Sequence, residues 1–413
     1  MSKKRVVVTG IGTVNPLALN LLETWKKLCN GDSGIGPITQ FDTSNISIKI
    51  AGEVRGFDPE EIFGKHYSRK LDRPGHLTIQ ATKDAIEDAG LDSAERLGPK
   101  CGLIVGTGIG GMASTESAVR VYDKRGEKRV SPRSITQIMP NSSTGQTSIK
   151  FGIEGPSLTI TTACAASANA IGEAKRLIEN DDIVDMVVAG GTESATTGMT
   201  MSAFSQSRAL SSRNNEPHRA SRPFDKDRDG FVMSEGSTMM VLESEESAKS
   251  RGANIYGYLT GYGSSTDAFH ITAPSVGGVG ASNAMNAALK DANLDADKID
   301  YLNAHGTSTK MNDATETLAI KKSFGPSAET VAISSTKSMV GHLLGGAGAF
   351  ESMVCLMSIK SGIAPPTINL DSPDEECDLN YTPINSIEKN INYAMTNSFG
   401  FGGHNAVLIF SKN

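Results

Sequence analysis

The chain runs to 413 residues with 46 acidic and 40 basic side chains, a net charge of −6, and 38% hydrophobic residues. The charge balance excludes a general nucleic-acid binder, and the length allows a large core spread over two or three domains. Five scattered cysteines (Cys29, Cys101, Cys164, Cys355 and Cys377), never spaced as Cys-x-x-Cys, exclude a disulfide framework or a cysteine-zinc site and fit a reducing compartment.

The basic start Met1 to Val8 carries an apolar run too short for a signal peptide, and no stretch approaches a membrane span. A soluble cytosolic protein without membrane association is expected. Arg5 to Thr9 reads as a short buried strand turned by Gly10-Ile11-Gly12, and Leu19 to Leu28 as a helix. Residues 31–61 are turn-rich. His76 to Ala89 places Leu77, Ala81, Ala85 and Ile86 on one face of an amphipathic helix closed by Gly90. Leu103 to Val105 is a strand running into Gly106-Thr107-Gly108-Ile109-Gly110-Gly111. Ser157 to Thr162 is a β-branched strand; then come Cys164, small residues, and Ile171, Ala174, Leu177 and Ile178 at helical spacing. A helix therefore begins at or near Cys164. Ile183 to Ala189 is another strand, ending at Gly190-Gly191, and residues 204–236 form a long polar connection. Short apolar strands alternating with helices indicate an α/β layered fold.

The chain also repeats itself. Ala85-Ile86-Glu87-Asp88-Ala89-Gly90-Leu91 resembles Ala288-Leu289-Lys290-Asp291-Ala292-Asn293-Leu294, and each is followed by a strand. Thr159 to Cys164 has a counterpart in Ala332 to Lys337, each preceding a small-residue-rich helix. Two similar α/β halves are expected, 1–253 and 254–413, with the Cys164 and Lys337 junctions facing each other.

Two motifs mislead. Gly106 to Gly111 satisfies the dinucleotide pattern G-x-G-x-x-G after a strand, but the next twenty residues carry no second strand ending in an acid, so a nicotinamide enzyme rests on a weak signal. Asp225 to Gly230 begins like a calcium loop, but its twelfth position falls on Gly236, and Arg222 and Arg228 suggest internal ion pairs instead.

The chemistry-bearing residues lie elsewhere. A thiol at a helix start feels the positive end of the helix dipole, which should lower its pKa and favour thiolate, and the free N–H groups there can receive an oxyanion. Packing is the alternative for any free cysteine. His305 follows a strand in His305-Gly306-Thr307-Ser308-Thr309. Lys337 and Glu351 bracket a glycine-rich segment with His342 between them and could pair; Asn397 to Asn405 adds Phe399, Phe401 and His404 among glycines. Two histidines in such settings, beside a candidate nucleophile, point to covalent catalysis.

These motifs together (Thr162-Ala163-Cys164-Ala165, His305 to Thr309, Lys337-Ser338 with Gly341-His342, and Asn397 to Gly403) resemble the β-ketoacyl-acyl-carrier-protein synthases of the thiolase superfamily. The resemblance runs essentially end to end and is to the elongating Cys-His-His class. It implies a five-layered αβαβα fold, a homodimer, and decarboxylative condensation without metal or organic cofactor. Cys164 would carry the acyl chain, with its own N–H and that of Phe401 as oxyanion donors. His305 and His342 would stabilise the enolate, and Lys337 and Glu351 would orient them. Thr307 and Thr309 would bind pantetheine; Ile109, Phe204 and Leu344 would lie near the acyl pocket, and Phe399 and Ile109 would gate it. The basic clusters Lys65, Arg69, Lys70 and Lys124, Arg125, Lys128, Arg129 become docking sites for an acidic acyl carrier protein. His404 departs from the usual threonine and reads as a lining residue. The initiating class pairs its cysteine with His and Asn, and thiolases need a second catalytic cysteine; neither pattern is present here.

Overall fold

The computed structural model describes residues 3–180 and 183–412; Met1, Ser2, Asp181, Asp182 and Asn413 lie outside it. Ten strands form one hydrogen-bonded series: β1 (Val6–Val14), β2 (Cys101–Gly106), β3 (Ser157–Ile160), β4 (Met186–Glu193), β5 (Gly236–Ser244), β6 (Gly257–Thr266), β7 (Tyr301–Asn303), β8 (Ala332–Ser334), β9 (Tyr393–Gly400) and β10 (His404–Ser411). Read outward from the centre, one half runs β1-β5-β4-β2-β3 and the other β6-β10-β9-β7-β8. Each strand therefore has its counterpart five places further along, and the expected duplication is a pseudo-two-fold fold. The halves are joined at a short seam where Val7 and Val8 pair with Tyr258 and Gly257.

The principal helices are α1 (Leu21–Asn30), α2 (Arg73–Asp88), α3 (Met112–Arg125), α4 (Ser142–Phe151), α5 (Ala166–Asn180), α6 (Gly198–Gln206), α7 (Val279–Ala292), α8 (Lys310–Phe324) and α9 (Ala347–Ser361). Helices α5 and α9 pack against each other and against strands of both halves, while α2 covers β1 and β5 and α7 covers β6 and β10. This is the thiolase-like arrangement of two sheets with helices between and outside them. The inner layer is largely apolar: α9 is buried from Ala347 to Ile359, with Glu351 as its one acidic side chain in that stretch. No helix among the described residues is long and apolar enough to cross a membrane.

Gly10 and Gly12 do not turn the chain, as the sequence suggested. β1 continues through them to Val14, with a register shift between Val8 and Gly10. Their role is contact. A Cβ on Gly10 would lie 2.1 Å from the Ala85 carbonyl oxygen of α2, and one on Gly12 2.0 Å from that of Ala81. The second half repeats the device: Gly261 and Gly263 face the carbonyls of Ala288 and Ala284 of α7 at 2.5 and 2.1 Å. The repeated sequence is therefore an alanine-faced helix laid on a glycine-bearing strand. α2 starts at Asp72, whose side chain accepts from the Arg73 N–H, with Pro74 in the first turn, and it ends before Gly90 at φ +73°.

β4 likewise departs from the expected span. Ile183 lies outside it and is exposed, and the strand passes through Gly190 and Gly191 to end on Glu193. A Cβ on Gly190 would meet the Thr238 carbonyl oxygen at 2.1 Å.

Gly12→Ala is expected to lower unfolding free energy by about 3 kcal/mol, because backbone rather than a movable side chain occupies the space. Urea titration should show a lower midpoint at unchanged slope. An unchanged midpoint would mean that α2 can move off β1 at no cost.

Candidate active site

β3 ends at Ile160 and the chain turns sharply at Ala163, which holds φ +49°, before a tight helical turn over Ala163–Ala165 leads into α5. A left-handed alanine costs about 1–3 kcal/mol, so its surroundings must enforce it. The end of the β9–β10 hairpin presses on this corner. A Cβ on Gly400 would lie 2.7 Å from the Thr162 carbonyl oxygen and 3.0 Å from the Cys164 nitrogen. The next residue, Phe401, directs its backbone N–H at the Cys164 sulfur.

The thiol is not the low-pKa group expected at a helix start. Burial pushes it up to about 12, against the lowering effects of Lys337 and the Phe401 N–H. Burial here outweighs the positive end of the helix dipole. Cys164 rests as a thiol.

Both histidines are buried and neutral. Their pKa values lie well below the ordinary 6.5, first through burial and then through Lys337; His342 adds to the effect on His305. His305 follows β7, and its backbone N–H and that of Gly306 donate to the two carboxylate oxygens of Glu316 at 2.8 and 2.7 Å. Asn397 Nδ2 donates to the same carboxylate at 3.0 Å, tying β9 to the site. Lys337 Nζ is 3.3 Å from His305 Nδ1 and pairs with Glu351. An ammonium donating to Nδ1 leaves the ring proton on Nε2. His342 is clamped through its backbone: its N–H donates to Val232 O at 2.7 Å and its carbonyl accepts from Ser234 N at 3.0 Å. The two imidazoles meet edge to face with centroids 5.3 Å apart.

Cys164, His305 and His342 open on one cavity of about 610 Å³. Ile109, Phe204 and Leu344 form an apolar wall together with Phe231, and Cys164 packs into the same cluster. Thr307, Thr309, Phe399 and Phe401 also line the cavity, with the two threonine hydroxyls 2.9 Å apart and Phe401 40% exposed. Lys337 and Glu351 stand behind His305, outside the lining. His404 is not part of the lining either. Along β10 it is Asn405 that reaches the cavity, and the His404 ring lies against Gly402. Lys65, Arg69, Lys70, Lys124, Arg125, Lys128 and Arg129 are all exposed on the surface, away from the lining; Arg69 is 4.0 Å from Glu60.

Two buried acids escaped the sequence reading. Glu316 sits in the second turn of α8, which follows the His305 loop. Glu193 ends β4 and accepts hydrogen bonds from Thr107, Gly108, Ile109 and Gly345. The glycine-rich loop is thus an anion cradle, but its anion is this protein's own carboxylate. A charged residue closing a fully buried strand was the available signal. The other misleading motif is also internal: Asp225 accepts from Arg222 Nε and from the N–H groups of Asp227, Asp371 and Ser372. Arg228 pairs with Asp374 at 2.6 Å and Asp313 at 3.5 Å.

A cysteine at a strand–helix corner, two neutral histidines and a hairpin N–H on a pseudo-two-fold α/β frame define a condensing-enzyme type of site. Residues 3–248 match the beta-ketoacyl synthase N-terminal domain and residues 256–371 its C-terminal domain, so the chain belongs to the beta-ketoacyl synthase family. It is 47% identical over 412 residues to the 3-oxoacyl-(acyl-carrier-protein) synthase 2 of Synechocystis sp., covering 100% of this chain and 99% of the relative. The protein of the same name from Staphylococcus aureus is 46% identical over 409 residues, 99% and 98% of the two chains. Among solved structures, a type II PKS acyl-carrier protein in complex with its ketosynthase bound to the hexaketide matches with TM-score 0.91 and 31% identity, covering 99% of this chain and 100% of that one.

Burial raises Glu351 from its ordinary 4.5 to about 7, against the pull of Lys337. The folded protein therefore holds a proton there that the unfolded chain releases. Its contribution to stability is complete below pH 4.5 and is lost as pH rises through about 7. Glu351→Gln, which never titrates, should remove this part of the decline when unfolding free energy is measured against pH. Parallel curves for the two proteins across that window would contradict the assignment.

Proposed function

We propose that this protein is an elongating β-ketoacyl-acyl-carrier-protein synthase. It condenses a malonyl group on acyl carrier protein with an acyl chain held on Cys164, lengthening the chain by two carbons in fatty acid biosynthesis. The observation that carries this reading is the convergence of Cys164, His305, His342 and the Phe401 N–H on one cavity.

In acyl transfer, the Cys164 sulfur attacks the carrier's thioester carbonyl. The N–H groups of Cys164 and Phe401 receive the oxyanion. Lys337 holds His305 as the Nε2–H form, so His342, whose Nδ1 has no partner among the described residues to fix its tautomer, takes the thiol proton and delivers it to the departing pantetheine sulfur. In decarboxylation, the carbon–carboxylate bond of malonyl breaks, CO2 leaves, and the electron pair moves into an enolate. The Nε2–H groups of His305 and His342 donate to its oxygen, a stabilisation that a water-poor cavity strengthens. The enolate carbon then attacks the Cys164 thioester, and the sulfur leaves and regains a proton. One proton is consumed per cycle. Catalysis uses no metal or organic cofactor.

Lys337 and Glu351 hold the His305 tautomer. Thr307 and Thr309 bind the pantetheine amides, and Ile109, Phe204 and Leu344 enclose the acyl chain, with Phe399 and Ile109 as gates. Lys65, Arg69, Lys70, Lys128 and Arg129 attract the acidic carrier, and the relative solved with its carrier protein supports that partner. The functional unit is a cytosolic homodimer of chains whose halves divide at residue 253. The open edge of β3, with Leu158 exposed, supports a second copy as the covering partner.

Cys164→Ala should abolish acyl transfer and condensation in an elongation assay, and retained elongation would sink the assignment. Cys164→Gln mimics the acylated state and should still release CO2 from malonyl-carrier protein, because the histidines remain. His305→Ala in that background should slow release by about 10²–10⁴-fold. CO2 release at the Cys164→Gln rate would mean that His305 is not an enolate donor.

A further inference from the structure

Glu193 has a geometry that the proposed chemistry does not use. Its side chain is fully buried at the end of β4 and serves two loops from opposite halves of the molecule. Oε2 accepts from Gly108 N at 2.6 Å and from Gly345 N at 3.1 Å. Oε1 accepts from Thr107 Oγ1 at 3.1 Å and from Ile109 N at 3.2 Å. One carboxylate oxygen thus joins the loop that carries Ile109 to the loop that carries Leu344, two residues of the apolar wall.

The loops touch through their backbones. A Cβ on Gly345 would lie 2.2 Å from Gly108 N. Leu344 holds φ +46°, a conformation a branched side chain adopts only under constraint, and Gly345 N is the next donor along. The same loop meets the nucleophile corner, since a Cβ on Gly108 would lie 3.7 Å from Ala163 Cα. Four donors converging on one group require a pure acceptor, and among side chains only a carboxylate supplies two acceptor oxygens without a donor. Burying it is tolerable because every face toward the loops is hydrogen-bonded.

We propose that Glu193 is a positioning residue that sets the width of the acyl pocket, and through it the chain-length selectivity of the enzyme. This rests on reading the cavity beside Ile109 and Leu344 as the acyl pocket. Removing the shared acceptor frees the two loops from each other. The pocket wall then accommodates chains it otherwise rejects, and selectivity flattens. One methylene in an apolar pocket changes kcat/KM by about tenfold, so a wall that no longer holds its place registers clearly.

The test compares Glu193→Gln and Thr107→Val with the unmodified protein. Transfer of saturated acyl chains of graded length from acyl carrier protein onto Cys164 is measured as kcat/KM for each length. Glutamine turns an amide donor toward at least one backbone donor, and valine removes one hydroxyl at constant shape. The ratio between the best and worst chain lengths should fall by about tenfold in Glu193→Gln and by less in Thr107→Val. Rates that fall in parallel at every length would show Glu193 to be structural only and overturn the proposal. If Glu193→Gln does not fold, Thr107→Val decides by the same ratio. If the unmodified protein accepts no acyl chain, the assigned function fails, and this proposal with it.

Discussion

Burial of the ionisable groups around one cavity governs the site. It keeps His305 and His342 neutral, raises the Cys164 thiol to about 12 and lifts Glu351 to about 7. A charged imidazole cannot act as base toward the thiol, so neutrality is a condition for acyl transfer. A neutral Nε2–H donor is equally suited to an enolate, because it stabilises negative charge without first surrendering its proton to solvent. The thiol's high pKa is compatible with this chemistry, since attack and proton transfer to a neighbouring neutral base can be coupled. Among the described residues Lys337 is the cation brought against His305, and it acts on the ring through Nδ1.

The pseudo-two-fold frame explains how such a cavity is assembled. The Cys164 corner follows β3 and the Lys337 segment follows β8, its counterpart in the other half. α5 and α9 then run from these corners side by side through the middle of the molecule. Gly348 makes that approach possible, since a Cβ there would lie 2.8 Å from Ala168 of α5. Small residues in the central helices and on the strands under α2 and α7 are the cost of bringing backbone so close to backbone. The result is that groups more than 100 residues apart in sequence, such as Cys164 and His305, line one cavity.

Much of this was legible in the residues. The duplicated Ala85 and Ala288 segments announced two halves, the strand–Cys164–helix unit follows the apolar pattern, and Lys337 pairs with Glu351 as their shared segment suggested. Other features were not legible, for definite reasons. Gly10 and Gly12 carry the same letters whether they turn a strand or admit a helix, and only the partner at Ala81 and Ala85 distinguishes the two. Glu193 and Glu316 are bound mainly by backbone N–H groups, which every residue possesses, so little in the sequence marks the donors. The Cys164 thiol was misjudged because a helix start is a local feature while enclosure is made by distant segments. His404 was misplaced by the same limit: alternation along β10 sends Asn405 inward instead.

The most direct test of this account is nitrogen-15 NMR of the imidazoles of His305 and His342, assigned by single substitution, followed from about pH 5 to about pH 8, the range over which an ordinary histidine titrates. The account predicts that both rings stay neutral throughout, with His305 carrying its proton on Nε2. A histidine at this site that titrates near 6.5, or a His305 ring protonated on Nδ1, would contradict it.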